Sequence, residues 1–496
     1  MYALLPLVLA ACRHDGDDSV TDADADTDAD TDTDADADTD TDTDTEPALV
    51  INDYLKLDTR PKNVIVLSWD TLRPDHVNAL GYTPRDTTPT LDRVFDDGVG
   101  FRNHSSCSSW TFPSFTCALT GRDQFDNLFW PYELNGDLPE APNGFPLAPR
   151  IFQDLGYHTG VYSASGFLGV SANMYQGYDE GYGEFDQDGE ETKAEEILDD
   201  AIEFLDGRLA ERDTPFYVHI HFMEPHMPWI PGEDYLGWEE ELEPVDADFD
   251  SQDGTKAVWQ SFSEGALSAD DQALLLAHML ARYDGELRLA DDQTLRLFDY
   301  LEANGFWEDT ILVFLSDHGE EFFEHENFNH GYNQFAVVTE SLAGFYQPGN
   351  LRQADVEELT WHPDILPTLF SILDVNPAGS IHYEGFTGNV VGTDVPHTRI
   401  FSNTYRVQKT HQAVDDGHVK LMLRWDDNTQ VQDGPLYFFD RDVDWWESDN
   451  LYADPESPPE GVAKWWGELC PKIQFLDDHE PNTEAVVASL KNGECD

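Results

Sequence analysis

The sequence predicts an α/β fold, a mostly parallel sheet flanked by helices, with a smaller β-rich subdomain at the C-terminus. Three short apolar runs, at residues 63–69, 216–223 and 311–316, have the length and composition of buried strands. Between them, residues 192–209 and 267–304 carry apolar side chains at three- and four-residue spacing, which predicts helices. Strands that alternate with helices are typical of a parallel sheet covered on both faces.

The C-terminal part of the chain predicts a second, smaller sheet. Its β-like runs lie at residues 399–405, 419–425 and 436–440. We therefore place a large α/β domain at residues 60–375 and a C-terminal subdomain, packed on it, at residues 376–496.

The charge balance limits the partners of the protein. The chain has 496 residues, with 27 Lys and Arg against 100 Asp and Glu, for a formal net charge of -73. Nucleic-acid binding requires clustered cationic side chains, and docking on anionic lipid requires a basic patch. The composition therefore excludes nucleic acid as a partner, and it excludes peripheral membrane binding through a basic surface.

The N-terminus predicts export and attachment to a membrane. Residues 1–11 form a short apolar segment typical of a signal peptide, and residues 9–12 (LAAC) resemble the bacterial lipobox. We expect a lipidated Cys12 that anchors the protein to the cell envelope, facing the periplasm or the cell surface. No Lys or Arg precedes the apolar run, so an ordinary signal peptide with a chance Cys12 stays the alternative.

Residues 12–59 predict an acidic, disordered linker between this anchor and the body. Asp occupies every even position from residue 22 to residue 44, separated by Thr or Ala, and such a segment has nothing apolar to bury. A calcium-binding repeat is the alternative, although this stretch has no glycines to shape ligand loops.

The cysteines predict disulfides. Apart from Cys12, four remain, at positions 107, 117, 470 and 495, and an even number in an exported protein is typical of disulfide bonding. The pairing that we favour is Cys470 with Cys495, as a clamp on the C-terminus.

Polar clusters follow the predicted strands. Asp70 ends the first run, Glu224 and His226 follow the second, and Asp317 and His318 follow the third. In parallel sheets, ligands bind at the carboxyl ends of the strands. Carboxylates and imidazoles are suitable ligands for a divalent cation. The sequence therefore predicts a metal-dependent site at this edge.

Taken together and in this order, the motifs resemble those of the sulfatase family of the alkaline phosphatase superfamily. The resemblance extends from about residue 61 to residue 455. It is carried by NVIVLSWDTLRPDHV, SSWTFPSFTCALTGR, HFMEPHMPW, DTILVFLSDHGEEFFEH and HPDILPTLFSIL, among other stretches. It implies an alkaline phosphatase-like sheet, with residues 60–375 as the catalytic domain.

The resemblance also implies roles for individual residues. The implied metal ligands are Asp70, Asp317 and His318, with Thr111 as nucleophile and further ligand. His226 would face the leaving group. His330 would contact the oxygens of the transferred group or the leaving group, and Lys420 would neutralise the transferred anion.

Two departures from the family pattern change the expected chemistry. Many sulfatases convert a Cys or Ser to formylglycine, within a motif that includes an Arg. Here Thr111 stands at the nucleophile position and Phe115 replaces the Arg, so formylglycine cannot form. Thr71 replaces a second Asp after the first strand. The set resembles a threonine-nucleophile, single-metal variant of the family.

The resemblance implies an enzyme that hydrolyses sulfate or phosphate esters through a covalent Thr111 intermediate. Its cofactor would be one divalent cation (Ca, Mn, Mg or Zn), and its substrate an anionic ester of a glycan, a lipid head group or a small molecule. Two alternatives stay open: an envelope transferase of the phosphoglycerol or phosphoethanolamine type, and a non-catalytic surface lipoprotein.

Overall fold

A computed structural model describes most of the body of the protein. The described residues are 49–124, 140–183, 193–265, 267–406, 409–426, 436–452, 459, 461–462 and 464–469. The predicted signal peptide, Cys12, most of the acidic linker, Cys470 and Cys495 lie outside them.

The described elements alternate between strands and helices over the large domain. The strands are β1 Leu49–Val50, β2 Lys56–Leu57, β3 Asn63–Trp69, β4 Val99–Phe101, β5 His104–Ser105, β6 His158–Ser163, β7 Glu180–Gly183, β8 Phe216–Phe222, β9 Thr310–Ser316, β10 Ala343–Tyr346, β11 Ala354–Val356, β12 Thr360–Trp361, β13 Ile400–Arg406, β14 Lys409–Asp415, β15 Val419–Asp426 and β16 Leu436–Asp440. The helices are α1 Asp92–Asp96, α2 Thr111–Thr120, α3 Ala148–Asp154, α4 Ala194–Leu209, α5 Gly237–Glu240, α6 Gln252–Ser263, α7 Ala269–Ala303, α8 Ala336–Thr339 and α9 Ile365–Leu373.

The main sheet is mixed and mostly parallel, as predicted. Among the described residues it has eight strands, in the order β11-β4-β10-β9-β3-β8-β6-β7. The central strand β3 runs parallel to both β8 and β9, and β10 is antiparallel to its neighbours β4 and β9. The predicted fold class is confirmed.

The core lies on both faces of this sheet because successive side chains of a strand point to opposite sides. In β3, Ile65 and Leu67 face one core, which is packed against α4 and α7. Val64 and Val66 face the other, which is packed against α2, α3 and α9. All seven residues of β3 are buried, which explains its nearly continuous apolar sequence.

The long helix α7 shows how local sequence sets an element boundary. The apolar spacing predicted a helix over residues 267–304, and the structure begins it at Ala269. Ser268 is the N-cap, and its hydroxyl accepts a hydrogen bond from the Asp271 N–H at 3.1 Å. Because this cap satisfies a donor that the first turn leaves unpaired, it fixes where the helix starts.

The C-terminal sheet is antiparallel and packs on the large domain. Its order is β13-β14-β15-β16. Ala413, Met422 and Phe439 of this sheet are buried against Val337 and Val338 of α8. The small sheet therefore rests on the segment that follows the third site motif.

The ordered body begins before the predicted boundary at residue 60. Strands β1 and β2 pair antiparallel, and Leu55 and Leu57 are fully buried. Residues 49–59 therefore belong to the folded body and not to the predicted disordered linker. In the part of the chain that the structure describes, no helix combines the length and the apolar character needed to cross a membrane.

Candidate active site

The register of the central strands brings the first and third motifs together. Trp69 of β3 pairs with Ser316 of β9 in the parallel ladder. The next residues, Asp70 and Asp317, therefore leave the same edge of the sheet side by side. His318 follows at once, so three candidate ligands come from two adjacent strand ends.

These three side chains and Thr111 form one buried cluster. Ligand atoms of Asp70, Asp317 and His318 all lie within 4.8 Å of one another. The Thr111 hydroxyl donates to Asp70 Oδ2 at 3.3 Å and lies 3.3 Å from His318 Nε2. The structure thus brings together the whole metal and nucleophile set that the sequence predicted.

Asp317 is fixed by backbone donors. The N–H groups of Thr71 and His318 donate to its Oδ1 at 3.0 and 2.8 Å. Thr71 also has a φ of 57°, which is unusual for a non-glycine residue. Where many sulfatases have a second carboxylate, Thr71 thus contributes a backbone donor to the cluster.

The cluster fits a divalent cation. Asp70 Oδ1 and Asp317 Oδ2 are buried without a hydrogen bond from any described residue. His318 Nδ1 donates to the Gly319 carbonyl at 2.9 Å, which leaves Nε2 unprotonated in the neutral ring and directed at the cluster. Two carboxylate oxygens and one imidazole nitrogen are a suitable donor set for such an ion.

The charges of the two carboxylates oppose each other until a cation is bound. Burial, and then the charge of Asp70, raise the pKa of Asp317 well above its usual range. Burial would also raise the pKa of Asp70, but His221, His226 and His318 outweigh it, so this pKa is lowered overall. A bound cation would remove the repulsion, because it interacts favourably with both ionised groups.

Thr111 stands at the start of helix α2. Trp110 before it is extended, so the helix begins at the nucleophile itself. The Ser114 hydroxyl donates to the Asp317 carbonyl and ties the first turn to the metal cluster. Gly121 ends the helix with a φ of 64°, where an added Cβ would lie 2.6 Å from a ring atom of Phe386.

A disulfide encloses the nucleophile. Cys107 and Cys117 are bonded, so Thr111 lies inside a loop closed at a sequence separation of 10. Disulfide formation was expected, but this pair was not the favoured one. The favoured pair, Cys470 with Cys495, lies outside the described residues and stays a prediction.

A row of imidazoles extends from the metal cluster. The ring of His330 lies 4.4 Å from that of His318 and 5.0 Å from that of His226, measured between centroids. Glu320 is buried and accepts a hydrogen bond from His330 Nδ1 at 3.2 Å. The Nδ1–H of His226 donates to the Met227 carbonyl at 2.6 Å. Both predicted histidines are thus adjacent to the cluster, each with its Nδ1 held.

Lys420, unlike the predicted histidines, is buried in an ion pair with Glu447. Its side chain is 1% exposed and its Nζ lies 3.1 Å from Glu447 Oε1. The same ammonium donates to the Thr339 hydroxyl at 3.2 Å. The structure therefore places Lys420 in a buried ion pair between the small sheet and α8. Its predicted contact with the transferred anion stays a prediction.

The sequence did not single out His221, which lies behind Asp70. Its Nε2 is 3.4 Å from Asp70 Oδ2, and its Nδ1 lies 2.9 Å from Ser68 Oγ. The one available signal was the alternation of His219 and His221 in an otherwise apolar strand, which puts both on the same face.

The site is thus a buried carboxylate–imidazole cluster beside a helix-borne hydroxyl, at the carboxyl edge of a mostly parallel sheet. The chain belongs to the sulfatase family, whose model matches residues 62–375. This membership makes the protein an enzyme of sulfuric- or phosphoric-ester hydrolysis, as the sequence predicted.

Two sequence relatives differ in the chemistry that their names describe. An N-acetylglucosamine-6-O-sulfatase of Bacteroides thetaiotaomicron is 24% identical, over 87% of this chain and 90% of the relative. Phosphatidylethanolamine transferase Mcr-1 of Escherichia coli is 26% identical, over 64% of this chain and 54% of the relative.

Solved structures share the fold. One, in complex with its substrate D-glucosamine-2-N,6-O-disulfate, has a TM-score of 0.67 at 19% identity and covers 86% of this chain and 99% of its own. The phosphonate monoester hydrolase of Agrobacterium radiobacter has a TM-score of 0.60 at 18% identity, covering 85% of this chain and 96% of its own.

Proposed function

We propose that the protein is a metal-dependent hydrolase of sulfate or phosphate esters that forms a covalent ester on Thr111. The observation that carries this proposal is the position of the Thr111 hydroxyl, 3.3 Å from both Asp70 Oδ2 and His318 Nε2 in the candidate metal cluster. Thr111 also begins a ten-residue helix, whose positive N-terminal end favours a developing alkoxide.

Asp70, Asp317 and His318 would hold the cation, together with Thr111. When bound, the cation would stabilise the Thr111 alkoxide and the negative charge on the non-bridging oxygens of the substrate. Asp70 orients the Thr111 hydroxyl by accepting its hydrogen bond. Thr111 Oγ then attacks the phosphorus or sulfur atom in line and displaces the leaving oxygen.

His226 is the proton carrier of this proposal, and His330 would contact the oxygens of the transferred group or the leaving group. His226 is partly exposed, and its Nδ1 is held by the Met227 carbonyl, so its Nε2 is the nitrogen that exchanges a proton with the leaving oxygen. Glu320 holds His330 Nδ1, which directs the other nitrogen of His330 away from that carboxylate. Water then attacks the Thr111 ester and releases the anion.

Threonine favours phosphate over sulfate as the transferred group. A formylglycine hydrate can expel sulfate by collapsing to the aldehyde, but a threonine ester has no such exit. It must be cleaved by attack at the central atom, a route better suited to phosphoryl transfer.

A transferase is the second candidate function. It is favoured by the threonine nucleophile and by the similarity to phosphatidylethanolamine transferase Mcr-1. In this case an acceptor hydroxyl would take the place of water in the second step. Release of free phosphate in the absence of any acceptor alcohol would exclude a transferase that has an obligatory acceptor.

We also propose that the protein is exported and held at the cell envelope through Cys12. The Cys107–Cys117 disulfide supports export, because disulfides persist in oxidising compartments. Mass spectrometry of the mature N-terminus tests this proposal, since a lipidated Cys12 differs from an ordinary cleaved terminus.

Substitution of the nucleophile tests the enzymatic proposal. Thr111→Ala should reduce turnover of p-nitrophenyl phosphate or sulfate at least ~10³-fold, in line with the loss of other catalytic nucleophiles. Thr111→Ser is the matched control and should retain measurable activity, because it keeps the hydroxyl. Both esters should be assayed side by side with Ca, Mn, Mg and Zn. Full activity of Thr111→Ala would exclude the covalent mechanism.

A further inference from the structure

The geometry points to a positioning residue behind the metal cluster. We propose that His221, itself held by Ser68 and His219, fixes the Asp70 carboxylate so that its Oδ1 is presented to the cation. This inference rests on the proposed function, since it assumes that Asp70 is a cation ligand. It concerns buried side chains of strands β3 and β8, which lie behind the reacting groups.

Sheet register brings these residues together. Ser68 of β3 pairs with His221 of β8 in the parallel ladder. The Ser68 hydroxyl lies 2.9 Å from His221 Nδ1 and 2.8 Å from His219 Nε2. His221 Nε2 in turn lies 3.4 Å from Asp70 Oδ2. A continuous series of contacts therefore leads from His219 through Ser68 and His221 to Asp70.

Proton positions in this series follow from donor counting. A serine hydroxyl has one proton, so it donates to one of the two imidazoles and accepts from the other. If it donates to His219, the His219 Nδ1–H is buried without an acceptor among the described residues, and the His221 Nε2 lone pair faces a carboxylate oxygen. If it donates to His221, the Nε2–H of His221 points at Asp70 and a lone pair of His219 stays unpaired.

The second arrangement is favoured, because its one N–H without a hydrogen bond faces the Asp70 carboxylate at 3.4 Å, whereas the first leaves the His219 Nδ1–H without any acceptor among the described residues. Burial lowers the pKa of His219 well below its usual range, so its ring is neutral and carries a single N–H. That proton is placed on Nε2, where it is donated to Ser68. The His219 N–H and the Ser68 hydroxyl then each have an acceptor, and the Nε2–H of His221 faces the Asp70 carboxylate at 3.4 Å, a charge contact longer than an ordinary hydrogen bond.

The surroundings make the series rigid. Ser68, His219 and His221 are all fully buried. Phe115 of α2 packs edge-on against both imidazoles, with centroids 5.3 Å from His219 and 5.1 Å from His221. With one Asp70 oxygen facing His221 and Thr111, the other is the oxygen that accepts no hydrogen bond from a described residue. These contacts therefore restrict the orientation of the Asp70 carboxylate.

Ser68→Ala tests the proposal without touching Asp70. Partners of this kind typically change metal affinity ~10–100-fold. We expect Ser68→Ala to raise the Kd for Mn²⁺, measured by isothermal titration calorimetry on the full chain, by about 10-fold. Ser163→Ala is the matched control: Ser163 is equally buried and pairs with His221 from β6, but its hydroxyl accepts from the Ser165 N–H and not from an imidazole. Ser163→Ala should leave the Kd for Mn²⁺ unchanged.

Substitutions at His221 separate positioning from ligation. His221→Leu should weaken Mn²⁺ binding at least as much as Ser68→Ala. His221→Gln keeps an N–H near the position of Nε2 and should recover most of the affinity. The visible absorption spectrum of the Co²⁺-loaded protein is the second measurement. It should be close to wild type for His221→Gln and shifted for His221→Leu.

Different results overturn different claims. Wild-type affinity in both Ser68→Ala and His221→Leu would refute the role of His221 and leave the proposed function intact. Equal loss of affinity and an equal spectral shift in His221→Gln and His221→Leu would make His221 a ligand and refute positioning. Wild-type protein that binds no cation would refute both proposals, and full activity of Thr111→Ala would refute the covalent mechanism alone.

Discussion

His362 is a buried imidazole that supports the nucleophile helix from below. Its Nδ1 lies 3.1 Å from the Ser114 hydroxyl, and its Nε2 lies 3.1 Å from the Ser341 hydroxyl. Burial lowers the pKa of His362 from 6.5 to about 3. The folded protein therefore keeps this ring neutral over a pH range in which the unfolded chain protonates it.

Stability should consequently fall as the solution becomes acidic. Below pH 6.5 the unfolded state gains a proton that the folded state does not accept, which should cost about 2 kcal/mol between pH 7 and pH 5. Urea unfolding in EDTA measures this dependence. His362→Gln should be less stable at pH 7 but should lose about 2 kcal/mol less than wild type on acidification to pH 5. Identical pH dependence in both proteins would contradict this account.

Single residues of the site differ in how well the sequence predicts them. Asp70, Asp317 and His318 follow apolar strands directly, so their common edge could be inferred from the order of the motifs. His221 could not, because a strand sequence does not say which face meets the nucleophile helix. The pairing of Lys420 with Glu447 depends on a loop that folds back onto the small sheet, and no local pattern encodes it.

Helix α2 is the element on which the chemistry depends, and its first turn is constrained by a covalent bond. The Cys107–Cys117 disulfide begins in the loop before the helix and ends inside it. The loop is also held to the small sheet, since the Ser108 hydroxyl donates to the Asn403 carbonyl at 2.7 Å. The position of Thr111 thus depends on an oxidised pair and on the docked subdomain.

Removal of this disulfide should affect both stability and activity. Cys107→Ser with Cys117→Ser should destabilise the protein by about 2–4 kcal/mol, the usual range for a native bridge. It should also lower kcat, because Thr111 lies within the loop that the bond closes. Wild type treated with a phosphine reductant should match the double variant in thermal melts and in ester hydrolysis. Unchanged kcat in both would show that the loop holds Thr111 without the bond.

The order of the elements was largely predictable. Strand β3 coincides with its predicted run, and α4 and α7 begin two residues later than predicted, at Ala194 and Ala269. Periodicity defines the middle of a helix well, but its end depends on a cap. Short strands such as β5 and β12 carry no periodic signal, so their positions depend on tertiary pairing that a local pattern does not encode.

At the scale of the whole molecule, a buried ionic group joins the small sheet to helix α8 of the large domain. Glu447 accepts the Ala336 N–H at 2.9 Å and pairs with Lys420, and Arg441 Nη1 binds Asp415 at 2.6 Å. Breaking one partner of a buried pair leaves an uncompensated charge. Substitution of one partner of such a pair should therefore destabilise the attachment of the small sheet. Substitution of both partners together should destabilise it less.

Comparison of the single and the paired substitutions also tests the role of Lys420. Glu447→Gln alone should cost about 3–5 kcal/mol, whereas Lys420→Met combined with Glu447→Gln should recover much of that loss, because the side-chain carbonyl introduced at position 447 still accepts the Ala336 N–H and no unpaired ammonium stays buried. If Lys420 only joins the domains, the stable double variant should hydrolyse esters at nearly the wild-type rate. A stable but inactive double variant would instead support the predicted contact between Lys420 and the transferred anion. Thermal melts and kcat measured on the same samples decide between these outcomes.

The net charge of -73 predicts a dependence on salt. Mutual repulsion of the acidic groups is screened over ~8–10 Å at 0.1–0.15 M salt. We therefore expect Tm to rise with NaCl and KM for an anionic ester not to increase as NaCl rises from low levels. Sucrose is the control, since it stabilises without screening charge. A KM that increases steadily with NaCl would contradict this interpretation of the acidity.

The chain enters the body on the side of the main sheet opposite the catalytic edge. Before β3, the Asp58 N–H donates to the Asn350 carbonyl, and Arg60 Nη1 donates to the carbonyls of Ser371 and Ile372. These contacts lie at the amino ends of the strands, opposite Asp70. If the protein is held through Cys12 as proposed, the tether would reach the body at residue 49, on the side of the sheet opposite the catalytic edge. Large or polymeric esters could then approach from the surrounding medium without passing between the protein and its support.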